Sequence, residues 1–166
     1  MENINLKPKN SIENKLPSNI EAEQALIGSI LVNNDIIDEI SNLLKAEKFF
    51  DPVHKKIFKV IESLNNKGMI ANPITLKNYF ENLNELDEVG GAEYLVKLTR
   101  FASSSKQATD YAKIVHENFV KRELLEISNV ISENSLDNDL DKSSENIIED
   151  AEKSLFDLAE RGSFSQ

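Results

Sequence analysis

The chain has 166 residues and no cysteine, a length that fits one domain with a buried core. The absence of cysteine excludes disulfides, zinc–thiolate sites and thiol nucleophiles, and it fits a cytoplasmic protein. The formal net charge of −10 at pH 7 opposes binding to phosphate backbones, so we expect little direct contact with DNA.

The first hydrophobic segment, residues 18–32, predicts a buried helix. Residues 1–16 before it are polar and aperiodic, which is typical of a disordered tail. Ser18 and Glu21 have the spacing of a capping box at a helix start. The apolar run after them is much shorter than the roughly 20 residues that cross a bilayer, and it lacks a basic leader, so we expect neither a membrane span nor a signal peptide. Gly28 favours the close approach of a neighbouring helix.

Four more helices are predicted before residue 104. Asn34 can cap a helix with five apolar residues: Ile36, Ile37, Ile40, Leu43 and Leu44. Asp51 followed by Pro52 is typical of a helix start, and Gly68 predicts the end of that helix. Residues 70–75, around Pro73, are predicted to be extended or loop. Two short helices then flank the Gly90-Gly91 pair, with the apolar residues Leu76, Tyr79, Phe80, Leu83, Tyr94, Leu95, Leu98 and Phe101.

A long helix and a shorter one are predicted after the serines at 103–105. No Gly or Pro interrupts the helical pattern from about 107 to 134, and four apolar residues fall there at heptad spacing: Val120, Leu124, Ile127 and Ile131. A polar loop, residues 135–142, separates this helix from a last one that Ser143 caps. The matching seam of the last helix consists of Ile148, Ala151, Leu155 and Leu158. Two seams joined by a short loop predict an antiparallel helical hairpin.

Both hairpin helices also have apolar residues outside these seams: Leu125, Val130, Ile147 and Phe156. Two helices alone cannot cover this surplus, which predicts contact with the rest of the fold or with a second chain. From residue 133 onward, the chain has ten acidic residues and three basic ones.

No stretch alternates between apolar and polar residues with period two, so we predict an all-α fold. In this fold a small helical globule (residues 17–104) precedes the hairpin (residues 105–162).

No residue pattern indicates catalysis. The phosphate-binding pattern G-x-x-x-x-G-K-[ST] does not occur in the sequence. His54 and His116 are the only histidines and have no second ligand at helical spacing, so we interpret both as residues of amphipathic helices. The pairs Lys55-Lys56 and Lys121-Arg122 are interpreted as solvated faces. The chain is therefore predicted to be a binding module without catalytic, cofactor or metal residues.

Four segments of the chain resemble the beginning of bacterial replicative DNA helicases of the DnaB type, and they occur in the same order. These segments are LPSNIEAEQALIGSILVN, FFDPVHKKIF, ITLKNYFENLNELDEVGGAEYLVKL and YAKIVHENFVKREL. The resemblance extends over residues 16–162 and implies the amino-terminal domain alone. Members of the family continue through a linker into an ATPase domain that binds ATP and Mg²⁺ and unwinds DNA. Residues 163–166 would begin that linker.

The resemblance also implies partners. In the family this domain forms dimers through the hairpins, and three dimers make a collar on the hexamer. The collar recruits the carboxy-terminal helical domain of primase, and a helicase loader is a further candidate partner.

Three residues, Leu125, Ile131 and Ile147, fall at hairpin positions that are important for primase contact in the family. The alternative is that they only pack the hairpin. Val130 and Phe156 are our candidates for self-association, from the surplus described above. Two other interpretations are a free-standing regulatory adaptor derived from the same domain and a small all-α hydrolase, although the latter lacks any constellation of catalytic residues.

Overall fold

The computed structural model describes residues 16–162, and within that range it contains seven α-helices, two short 3₁₀ helices and no strand. The predicted all-α class is confirmed, whereas residues 1–15 of the predicted tail (1–16) and the predicted linker start (163–166) lie outside the described residues. The α-helices are α1 Ile20–Val32, α2 Asp35–Ile40, α3 Pro52–Asn66, α4 Pro73–Asn82, α5 Gly91–Thr99, α6 Ser105–Leu136 and α7 Ser144–Gly162. The 3₁₀ helices are Ala46–Lys48 and Asp87–Val89.

The start of α1 differs from the prediction. The N-cap is Asn19 and not Ser18, because the Asn19 side chain accepts a hydrogen bond from the Ala22 amide at 2.9 Å. Asn and Ser are about equally favourable at this position, so the sequence pattern could not choose between two neighbours. The proposed Ser18–Glu21 capping box was therefore wrong, although the helix itself was placed correctly.

Asn34 has a different role from the predicted one. It occupies the N-cap position of α2, but its side chain makes no capping bond. Instead, the amide group donates to the Ile30 and Ala71 carbonyls, each at 2.8 Å, and accepts from the Ala71 amide at 2.7 Å. Asn34 thus fastens the distant loop at residue 71. Helix α2 ends at Ile40, earlier than predicted.

The start of α3 is confirmed: Asp51 Oδ1 accepts from the Val53 amide at 2.8 Å, and Pro52 is the first helical residue. Pro73, in contrast, does not lie in a loop as predicted, because it begins α4. The Asn72 side chain accepts from the amides of Ile74 and Thr75, and the Asn72 amide donates to the Thr75 hydroxyl. Proline fits the first turn, where its missing N–H would be unpaired in any case.

Helix α1 lies at the centre of the core, against α5 and α6. Leu26, Ile27 and Ile30 are fully buried there. A Cβ placed on Gly28 would lie 2.0 Å from the Leu98 carbonyl oxygen of α5, so a glycine is required for this close approach. The neighbouring Ser29 hydroxyl accepts from the Ser103 amide at 2.8 Å and thereby fixes the segment that leads into α6.

The first turns of α6 belong to the same core. Its buried residues are Ala108, Ala112, Val115, His116 and Phe119. The last buried residue of the helix is Phe119, and the more distal part packs mainly against α7. The division into a globule that ends at 104 and a hairpin that begins at 105 thus remains a prediction about folding units.

Within the described range, no helix combines the length and apolar character that crossing a bilayer would need.

Candidate functional site

The candidate site is the hairpin formed by α6 and α7. Helix α7 starts as predicted, since the Ser143 hydroxyl accepts from the Asn146 amide at 3.3 Å. In the connecting loop, Lys142 Nζ lies 2.8 Å from Asp137 Oδ2, and this hydrogen bond lowers the pKa of the Asp137 carboxyl. The exposed pair contributes little stability. The loop therefore orients the two helices mainly through its caps and its short length.

The seam of α7 differs from the predicted one at two of its four positions. Ile147 is half-buried against α6, whereas Ile148 is 57% exposed. Leu155, another predicted seam residue, is also largely exposed, while Ala151 and Leu158 are covered as expected. The assignment of Ile147 to the surplus was therefore wrong. Ile147 and Ile148 are adjacent and equally apolar, so the heptad count alone could not select the inward one.

A small groove, which we call the tip groove, opens between the distal parts of the two helices. It has a volume of about 180 Å³. Its lining is mainly apolar, with acidic residues at the rim, and comprises Glu126, Ile127, Val130, Ile131, Asn134, Ile147, Asp150, Ala151 and Ser154. Of the three predicted primase-contact residues, the structure brings Ile131 and Ile147 together here. Val130, which we predicted to mediate self-association, lines the same groove.

Leu125 and Phe156 are not in the lining of the tip groove. Leu125 is 37% and Phe156 64% exposed. Near them, Leu124 and Leu155 line a second groove of about 540 Å³ at the end of the hairpin closest to the core. Ile148 lies two turns from Leu155 on the same side of α7. We call the five residues Leu124, Leu125, Ile148, Leu155 and Phe156 the exposed hairpin face.

Arg122 does not lie on a solvated surface as predicted. Its guanidinium donates to the carbonyls of Pro17 at 2.7 Å and Lys48 at 2.9 Å, and it lies 5.1 Å from the centre of the Phe50 ring. Burial is the main cause that lowers the pKa of Arg122. Lys121, by comparison, is exposed. The sequence alone does not predict this difference between Lys121 and Arg122. The two residues are adjacent cations, and only the side of α6 to which each one points distinguishes them.

His54 belongs to a buried polar network that the sequence analysis missed. Its Nδ1 lies 2.8 Å from Glu23 Oε1, and its Nε2 lies 2.6 Å from the Tyr94 hydroxyl. Glu23 Oε2 also accepts from the Phe50 amide at 2.8 Å, and its Oε1 from the Asp51 amide at 3.2 Å. Burial raises the pKa of the Tyr94 hydroxyl. The network joins α1, α3 and α5. Among residues 16–162, no group of acidic residues and histidines could hold a metal ion.

The comparisons with known proteins agree with this architecture. Residues 15–117 match the family described as the DnaB-like helicase N-terminal domain. The chain is 41% identical over 147 residues to the replicative DNA helicase DnaB of Rickettsia conorii, which corresponds to 89% of this chain and 30% of that protein. It is 31% identical to the DnaB helicase of Buchnera aphidicola over 95% of this chain and 35% of that protein. The chain thus spans about a third of the length of these relatives.

Two solved structures are similar. The N-terminal domain of DnaB helicase from Mycobacterium tuberculosis superposes with a TM-score of 0.78 at 25% identity, covering 86% of this chain and 99% of that one. A DnaB-like replicative helicase, described together with its interactions with primase, has a TM-score of 0.69 at 27% identity and covers 84% of this chain and 31% of that one. The chain belongs to the family of DnaB-like helicase N-terminal domains.

Proposed function

We propose that this domain is a docking platform of a replicative DNA helicase, which self-associates through its hairpin and binds the carboxy-terminal domain of primase. The observation on which the proposal rests is the tip groove, in which Ile131 and Ile147 lie together on an accessible surface. A DnaB-like helicase of similar fold is described with its interactions with primase, which supports this choice of partner. A helicase loader is a second candidate partner for the hairpin.

The size and lining of the tip groove favour a protein partner. Pockets for small molecules usually enclose about 300–1,000 Å³, and this groove of about 180 Å³ is smaller. A groove with an apolar floor and a polar rim is typical of sites that accept an anchoring side chain from a partner. The acidic rim residues Glu126 and Asp150 would favour a partner with basic residues around that anchor.

Replacing Val130 by Asn tests the primase contact. Val130 is 43% exposed and lines the tip groove, so the variant should fold while placing a polar group where an apolar anchor would pack. We expect the affinity for the primase domain to fall about 10- to 100-fold, the range of an interface hot spot. The measurement is calorimetric titration of the primase carboxy-terminal domain into each variant, with circular dichroism to check the fold.

The matched control is Glu149→Gln, an exposed change on the opposite helix outside the groove lining. It should change the affinity by no more than a factor of about five, because exposed charges contribute less than about 1 kcal/mol. Equal losses in both variants would contradict docking in the groove. Failure of the unmodified domain to bind primase, together with tight binding to duplex DNA, would contradict the proposed function itself.

The exposed hairpin face supports self-association. Phe156 is 64% exposed and Ile148 57%, and the exposed residues Leu124 and Leu155 line the second groove of the same hairpin. Several exposed apolar residues on one hairpin favour contact with a second surface of the same kind, as in a two-fold dimer. Val130 lies in the tip groove, so Phe156 is the stronger candidate of the two residues predicted for this role.

Replacing Phe156 by Asp should shift the domain from dimer to monomer while its helical circular dichroism persists, because an isologous interface would bury the new carboxylate twice. Sedimentation velocity over a concentration series measures the shift. Asn138→Asp, which adds the same charge in the exposed loop, should leave the dimer intact. A monomeric wild-type domain at high micromolar concentration would exclude self-association through this face.

We place ATP hydrolysis and DNA unwinding outside this chain. Its 166 residues contain no phosphate-binding loop of the G-x-x-x-x-G-K-[ST] type, and its relatives are about three times as long. In the full-length helicase, ATP and Mg²⁺ would bind the ATPase domain that the resemblance implies. The net charge of −10 agrees with a domain that contacts proteins and leaves DNA to other parts of the machine.

A further inference from the structure

The carboxy-terminal end of α7 is held against the core by two side chains from other elements. Lys48 Nζ donates to the Leu43 carbonyl at 2.8 Å and to the Arg161 carbonyl at 3.4 Å, and it lies 3.2 Å from His116 Nδ1. His116 Nε2 lies 3.2 Å from the Gly162 carbonyl oxygen. The last carbonyls of a helix have no intrahelical donor, so Lys48 and His116 together bind the carbonyls that α7 leaves open.

This arrangement requires a neutral histidine. The ammonium of Lys48 can only donate, so His116 Nδ1 must accept, and the single imidazole proton is then on Nε2, where it donates to Gly162. Protonation would convert Nδ1 into a second donor that faces an ammonium group 3.2 Å away. Lys48 is 5% and His116 6% exposed, so solvent would screen this repulsion only weakly.

Charged groups of both signs surround the pair. Burial and the Lys48 ammonium lower the pKa of His116, against smaller opposing effects of the Gly162 carbonyl and of Glu117. Burial also lowers the pKa of Lys48; Glu47 opposes this, and Arg161 and Lys45 add to it. Lys113 borders the same groove as His116.

The direction of the pH dependence follows from the lowered pKa of His116. The free imidazole binds a proton more readily than the imidazole in the closed contact. The contact is therefore fully formed above about pH 6.5, the ordinary pKa of histidine, and weakens as the pH falls below that value.

We propose that Lys48 and His116 form a pH-sensitive latch on the end of α7, and that protonation of His116 releases the last turn of this helix. Because Gly162 and Leu158 line the same groove as Leu124 and Leu155, opening the latch would also alter the core-proximal end of the hairpin. The proposal does not depend on the identity of any docking partner.

Hydrogen exchange measured by mass spectrometry on the whole chain tests the latch. After correction for intrinsic rates, residues 158–162 should open more at about pH 5.5 than at about pH 7.5, by up to about tenfold, while core amides of α6 keep their protection. His116→Gln retains an acceptor and a donor that do not titrate, so its last turn should exchange equally at both pH values. Lys48→Met removes the donor to Arg161 and should leave that turn open at both.

Two outcomes would overturn the latch. One is a wild-type last turn whose corrected exchange is the same at both pH values. The other is a His116→Gln variant with the same pH dependence as the wild type, since a group other than His116 would then be responsible. If the variants do not fold, ¹⁵N spectra of the wild-type imidazole decide: a His116 that is already charged at about pH 7.5, or protonated on Nδ1 when neutral, contradicts the proposal.

Discussion

Replacing Gly28 by Ala is expected to destabilise the domain by about 2 kcal/mol or more. The new methyl carbon would lie 2.0 Å from the oxygen and 2.9 Å from the carbon of the Leu98 carbonyl, so helices α1 and α5 would have to separate. Alanine favours the helical backbone by only about 1 kcal/mol over glycine, which is too little to offset the loss of packing at the centre of the core.

Urea unfolding followed by circular dichroism measures this effect. Gly162→Ala is the matched control, because a methyl group there would contact only the Val120 side chain, at an ordinary 3.6 Å. Its free energy of unfolding should lie within about 0.5 kcal/mol of the wild type. A Gly28→Ala variant as stable as this control would show that the two helices can separate at little cost.

Replacing Glu23 by Ala should lower the free energy of unfolding by about 3 kcal/mol or more, the range for breaking a buried charged network. The carboxylate is 2% exposed and accepts from the Phe50 and Asp51 amides and from His54. Alanine would leave these three donors without a partner. The loss is not limited to one contact, because the two amides belong to the turn that starts α3.

Two controls separate this network from a general effect of losing a carboxylate. Glu21→Ala removes an exposed carboxylate from the same helix and should change stability by less than about 0.5 kcal/mol. Tyr94→Phe removes the 2.6 Å hydrogen bond to His54 at the far end of the network and a longer one, 3.3 Å, from Gln24, and should cost about 1–2 kcal/mol. Equal stability of the Glu23→Ala and Glu21→Ala variants in urea would contradict a structural role for the network.

The sequence predicted those features that depend on local chemistry. The all-α class, the Asp51–Pro52 helix start, the requirement for a small residue at Gly28 and the cap at Ser143 each follow from a few neighbouring residues. The predictions failed where two neighbours were equally suitable. Ser18 and Asn19 are both good caps, and Ile147 and Ile148 are both apolar; only the packing of distant segments selects one member of each pair.

The buried polar contacts could not be predicted for a related reason. His54 and His116 stand on amphipathic helices, as the pattern indicated, but their partners are up to 68 residues away in the chain. Arg122 was assigned to the solvated surface because the negative net charge argued against a phosphate contact, whereas here its guanidinium binds the Pro17 and Lys48 carbonyls. For the candidate site, the sequence indicated that the hairpin has surplus apolar surface. It did not indicate that Ile131 and Ile147 line one groove and that Phe156 lies outside it.

Helix α6 gives the hairpin the mechanics of a lever arm. Its 32 residues contain neither Gly nor Pro and reach about 48 Å, with the pivot in the core at Ala108–Phe119 and the free end at Leu136. From Phe119 to the tip the arm is about 26 Å long, so a tilt of about 10° in the core would move the tip by about 5 Å. The arm has no hinge to absorb a load. A force applied by any molecule at the tip groove would therefore reach the packing of α6 against α1 in the core.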